Sequence, residues 1–305
     1  MSWRLHLTNL AIRQIDIVTG KPTLLAVWTG RERVAFFDLD TGASVGETSL
    51  RAPVGEPRQS MKWQEFVAGL TAPNGAYLPL VRAGGTTIYT TEDGRMRLYA
   101  PGDGGLFLET DGKEVPLDTG GAALVALGLD RFLGLIAALD EQHRLALYQQ
   151  HIRVGVFDTG LDMLDDTLPS VAVSNGGGAI FVSNGQAVLL LDSGGRVKHR
   201  LTAHYPIGRL ACSANGKVLI TSDPDTGVIR AYNGADFTPT HQRHAIDLLQ
   251  DATQIQLIAD LPAASAGVGA LAVDNQGALA FALSGVVCVT HLNHLAVLPR
   301  PQPLL

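Results

Sequence analysis

Several short motifs in this chain have residue types and spacings that could do chemistry. Gly42-Ala43-Ser44-Val45-Gly46 reads G-x-S-x-G, the pattern in which a strand, a sharp turn and a following helix present a serine hydroxyl as nucleophile. Its continuation, Glu47-Thr48-Ser49-Leu50-Arg51-Ala52-Pro53, reads as a second strand stopped by proline, so Ser44 is expected in a hairpin. His241 and His244 are three residues apart, as are His291 and His294. On a helix such a pair shares a face and could hold a metal. No cysteine or acid cluster adjoins either pair, and surface or hairpin histidines are expected. Asp223-Pro224-Asp225-Thr226-Gly227 opens like a calcium loop, which requires glycine at its sixth position and glutamate at its twelfth. Val228 and Gly234 stand there instead, which leaves a polar hairpin turn. Neither glycine-rich phosphate-binding pattern, G-x-G-x-x-G or G-x-x-x-x-G-K-[ST], occurs.

The elements that must carry these residues repeat along the chain. A short apolar run, a tight polar turn and a second apolar run recur six times. The pairs are 15–18 and 24–28 around Gly20, 66–70 and 77–81 around Asn74-Gly75, and 124–127 and 133–138 around Asp130. Then come 171–173 and 180–182 around Gly177, 210–212 and 218–220 around Asn215-Gly216, and 271–273 and 279–283 around Asn275-Gln276-Gly277. The runs are too short for helical spacing, and Asn-Gly turns suit tight hairpins. A third apolar run follows most hairpins, as in Val34-Ala35-Phe36-Phe37-Asp38 and Val188-Leu189-Leu190-Leu191-Asp192. Weaker fourth strands are expected at 197–201 and 254–258. Four antiparallel strands per unit predict the blade of a β-propeller.

The turn markers are 55, 55, 47, 39 and 61 residues apart, and the interval across the two chain ends is 48, one blade long. The prediction is an all-β chain forming a single closed domain over residues 1–305, with six four-stranded blades. Seven is the alternative if an irregular blade hides in a long interval. The N-terminal strand at 3–7 is expected to complete the last blade, because closure removes exposed sheet edges.

The units resemble the WD40 and YVTN-type repeats of β-propeller proteins, over essentially the whole chain. The likeness is greatest in Val34-Ala35-Phe36-Phe37-Asp38-Leu39-Asp40-Thr41-Gly42 and Ser213-Ala214-Asn215-Gly216-Lys217-Val218-Leu219-Ile220. The Trp-Asp dipeptide is missing: Trp3, Trp28 and Trp63 precede Arg, Thr and Gln. The resemblance implies an architecture, and fold alone does not assign function.

Composition narrows the classes. Charged residues make up 17%, too few for a disordered chain, and the net charge of −6 with only 5 lysines disfavours nucleic acid as a partner. Two apolar windows, 120–139 and 266–290, are broken in the middle by Asp130-Arg131 and by Asp274-Asn275-Gln276, so neither is expected to span a membrane. No basic and apolar leader opens the sequence, and the two cysteines, Cys212 and Cys288, suit a reducing compartment. A cytoplasmic protein is expected.

Two stretches break the repeat. Residues 52–64 hold Arg58 and Trp63, and 236–254 hold His241, Arg243 and His244 in a segment with room for a helical turn. Excursions from a rigid scaffold are where binding residues concentrate. The leading expectation is a non-catalytic protein-interaction scaffold or subunit, without cofactor, whose partner is another protein. The alternative is a hydrolase of small esters or lactones. In it, Asp16, Glu65, Asn175 and Asp274 would converge on one divalent cation, calcium by its oxygen ligands, in the central channel.

Overall fold

Aliphatic and β-branched runs punctuated by Asn, Asp and Gly turns become strands, and the strands sort into six sheets. The computed structural model describes residues 2–7, 12–29, 33–49, 72–76, 81–83, 86–90, 96–100, 105–130, 133–162, 169–251, 253–254, 267–283 and 285–297. Strand β1 (Trp3–His6) precedes the first sheet, an antiparallel meander of β2 (Ile12–Val18), β3 (Leu24–Thr29), β4 (Arg33–Asp38) and β5 (Ser44–Ser49). The second sheet has five strands: β6 (Val81–Ala83), β7 (Thr86–Thr90), β8 (Met96–Ala100), β9 (Leu106–Thr110) and β10 (Lys113–Leu117). The third contains β11 (Leu124–Leu129), β12 (Leu135–Asp140), β13 (Arg144–Gln149) and β14 (Ile152–Asp158). The fourth contains β15 (Ser170–Val173), β16 (Ile180–Ser183), β17 (Ala187–Leu191) and β18 (Val197–Thr202). The fifth is β19 (Arg209–Cys212), β20 (Val218–Ser222), β21 (Val228–Asn233) and β22 (Pro239–His244). A short helix, α1 (Ala245–Asp251), and β23 (Thr253–Gln254) lead to β24 (Val268–Val273), β25 (Ala278–Leu283), β26 (Val286–His291) and finally β27 (Ala296–Val297).

The sixth sheet needs both ends of the chain. Its order is β24, β25, β26, β1, with Trp3 opposite Val289 and Arg4 opposite Cys288. The N-terminal strand therefore supplies the fourth strand, as the repeat length required. Beyond it, β23 pairs with β1 in parallel, and β27 pairs antiparallel with β22 on the fifth sheet.

Side chains pack between sheets, and neighbouring sheets share each cluster. Trp28 and Phe36 of the first meet Tyr99 of the second, and Tyr89 of the second meets Ile136 and Tyr148 of the third. Leu147 meets Val182, and Phe181 meets Tyr232. Ile229 meets Phe281, and Trp3 and Val287 meet Leu25 and Phe37, which returns to the first sheet. The sequence of contacts is a closed ring of six blades, not seven. Because interior strands are covered on both faces, β3 and β12 are buried at every residue, and their sequences run apolar without alternation. The innermost strands approach closely: a Cβ on Gly128 of β11 would lie 2.5 Å from Cγ1 of Val171 on β15.

The structure corrects two expectations. Residues 236–254 are no loose excursion: 239–244 are the outer strand of the fifth blade, followed directly by α1. The strand expected at 254–258 is not the fourth of that blade, since Gln254 ends β23 at the edge of the sixth, and 255–258 lie outside the described residues. Among the described residues, no helix is long and apolar enough to cross a membrane.

Candidate functional site

β22 positions the residues expected to bind. Along a strand, side chains alternate, so His241 and Arg243 lie on one face and His244 on the other. His241 and Arg243 stand opposite Ala231 and Ile229, which belong to the cluster shared with the sixth blade. Two histidines divided in this way cannot bind one metal from adjacent positions. His241 Nδ1 is buried without a hydrogen-bond partner, and burial pushes its imidazole pKa down. Exposed His244 places Nδ1 3.2 Å from the Thr226 carbonyl.

Arg243 Nη1 donates to the His294 carbonyl at 2.9 Å, tying the fifth blade to the tail of the sixth. Beside this bond lies a cleft of about 280 Å³ lined by Ser2, Arg243, Leu248, Thr290 and His294. His294 Nδ1 is 2.9 Å from Thr290 Oγ1. His291 accepts from the Asn293 amide at Nδ1 (3.1 Å) and reaches the Gln276 carbonyl through Nε2 (2.8 Å), so both its ring nitrogens are committed. The wall carrying Leu248 is held from below: Arg4, buried in β1, donates through Nη1 to the Leu249 carbonyl near the C-terminus of α1, where a cation complements the helix dipole.

The other candidates fall elsewhere. Arg58, Trp63 and Glu65 lie outside the described residues. Asn175 and Asp274 sit in the inner hairpin turns of the fourth and sixth blades, with the fifth blade's turn between them. That turn bonds to both: the Asn175 amide donates to the Ala214 carbonyl (2.6 Å), and the Asn215 amide donates to Asn275 Oδ1 (2.8 Å). Asp274 Oδ1 accepts the amides of Gln276 and Ala278, each at 2.8 Å. Asp16 is within β2, where Gln14 Nε2 donates to it, and burial raises its carboxyl to about 7. Among the described residues, no three His, Cys, Asp or Glu side chains gather to hold an ion. Ser44 is exposed and opens β5, with no helix behind it. Asp223 is a turn residue: its Oδ1 accepts the amides of Asp225 and Thr226, each at 3.0 Å. Burial would raise its pKa, but these amides, the Thr226 hydroxyl and Arg230 together hold it below the usual range.

Sequence reasoning picked out Arg243 but not Ser2, Leu248 and Thr290, which come from the opposite end of the chain, α1 and β26. His294 was visible only as half of a histidine pair. Arg4 carried no signal, because Trp3-Arg4-Leu5-His6 is ordinary strand alternation.

Fold and site together define a six-bladed β-propeller with a polar-rimmed cleft at the seam where the ring closes. No protein-family model and no curated protein sequence matches the chain. Among solved structures it is similar to the crystal structure of Chaetomium thermophilum Raptor, with a TM-score of 0.63 and 10% sequence identity over 97% of this chain. The match spans 29% of that chain, and at this identity it shows the fold alone.

Proposed function

We propose that this propeller is a non-catalytic scaffold that holds another protein, with the cleft at the fifth and sixth blades as a docking point. The observation that carries this reading is the cleft's make-up: a guanidinium, an imidazole, hydroxyls and a leucine, set on paired strands and an anchored helix. Arginine is among the residues that dominate binding energy in protein interfaces, and a rigid site loses little entropy when a partner docks. The net charge of −6 and the resemblance to WD40 and YVTN repeats support the same reading.

The test is quantitative recovery of bound proteins from the source cells, using the wild-type chain, Arg243→Ala and Trp63→Ala, followed by affinity measurement with the purified partner. Arg243→Ala is expected to weaken binding about tenfold or more, a loss of at least about 1.4 kcal/mol, while the melting temperature stays near wild type. Equal recovery of the same partner by both variants would remove the cleft and residues 52–64 from the account.

A further inference from the structure

The six outer edges of the ring are not protected alike. A strand edge presents unpaired N–H and C=O groups that template pairing with another chain, and natural sheets guard it with charge, proline or a covering strand. β22 is covered by β27, and β1 by β23. β10 carries Lys113, Glu114 and Pro116, and β18 exposes Lys198, His199 and Arg200. β5 carries Glu47, which pairs with Arg33 at 3.7 Å. Among the described residues, β14 has neither proline nor a covering strand, and its charges are Arg153 and Asp158. It exposes Ile152 (63%), Val154 (40%) and Val156 (44%), and its one base, Arg153, pairs with Asp118 at 2.5 Å.

The covered edge of the fifth blade shows what the uncovered edge of the third can accept. Both outer strands carry a bulge at the same place, between Ala231 and Tyr232 of the neighbouring strand in one and between Leu147 and Tyr148 in the other. Counted from the bulge, Gly155 and Val156 of β14 stand where His241 and Gln242 stand in β22. Those two positions of β22 take β27, antiparallel.

The bulge also sets a pattern of charge. Arg153 lies opposite Tyr148, Val156 opposite Ala146 and Asp158 opposite Arg144, so all three share one face although Arg153 and Asp158 are five residues apart. We propose that β14 pairs antiparallel with β14 of a second copy of this chain, about a two-fold axis at Val156. Each Arg153, which bridges to Asp118 of its own chain, then also meets Asp158 of the partner subunit, and Val156 meets itself. The contact is self-complementary, as a two-fold interface must be. Opposite charges across strands favour it.

A single strand pair buries little area, so the dimer is weak, with dissociation in the micromolar range or above. Sedimentation equilibrium up to about 100 μM covers the range in which so small an interface populates a dimer. The wild-type chain is expected to show a concentration-dependent dimer, and Val156→Lys a monomer with unchanged melting temperature. Arg153→Glu and Asp158→Arg are each expected to be monomeric, because each puts like charges together twice, whereas their equimolar mixture dimerises. A wild-type monomer throughout the range, a dimer retained by Val156→Lys, or a mixture no tighter than its components overturns the proposal. The seam cleft plays no part: Arg243→Ala leaves this dimer intact, so the two readings fail separately.

Discussion

Asp16 keeps its proton to near neutrality, because burial raises its carboxyl from 3.8 to about 7 and the Gln14 hydrogen bond offsets only part of that rise. Between about pH 4 and pH 7 the folded chain therefore holds a proton that the unfolded chain has released, so this residue's contribution to stability falls as pH rises through that window. Asp16→Asn removes the titration and keeps the shape. Its melting temperature relative to wild type is expected to rise between about pH 4 and pH 7 and then level off, as read by circular dichroism melts across pH. A difference that stays constant with pH would mean that Asp16 does not titrate in this range. A cation bound at Asp16 would have to displace the same proton, so the calcium alternative carries a proton release on binding.

Among the elements, β1 bears most on closure. Trp3 is buried to 2% exposure, donates from Nε1 to the Leu39 carbonyl at 2.8 Å and packs tilted against Phe37 with ring centroids 6.4 Å apart. One side chain on the sixth blade is thus bonded to the first. Arg4, its neighbour, points the other way and anchors α1. Truncating a buried tryptophan typically costs about 3–5 kcal/mol, and Trp3→Ala is expected to destabilise the fold by that amount in urea denaturation. A loss below about 1 kcal/mol would show that the ring closes without this side chain.

At the scale of the whole molecule, no blade has a core of its own among the described residues. Each cluster of buried side chains belongs to two neighbours, from Trp28 with Tyr99 round to Trp3 with Phe37. Removing one blade would uncover two faces of its neighbours, which couples all six. The chain is expected to unfold in a single calorimetric transition with matching calorimetric and van't Hoff enthalpies. Two separated transitions would divide the ring into independent units.

Much of this was legible along the chain. Short apolar runs, Asn-Gly turns and a wrap-around interval of one blade length are local and periodic features, and they determined most of the described strands, the six-fold repeat and the N-terminal strand's place in the last blade, while the runs expected at 66–70 and 77–80 lie outside the described residues. The hairpin reading of Ser44 and the turn reading of Asp223 also followed from sequence, because a motif's neighbours show whether the helix or ligands it needs are present. Residues 239–244 were misjudged because Pro239, His241, Gln242, Arg243 and His244 lack the apolar alternation of a half-buried strand: an outermost strand needs little burial, and its pairing comes from β21 and β27. A helical turn was expected within 236–254, but nothing local showed that Arg4 of β1 would lie against it. The cleft and the uncovered edge belonged to tertiary structure alone. One joins residues from 2 to 294, and the other appears only when six edges are compared in a closed ring. Periodicity records which residues face a neighbour, but which neighbour is settled by closure of the ring, since burial is satisfied by any apolar surface that the topology brings near.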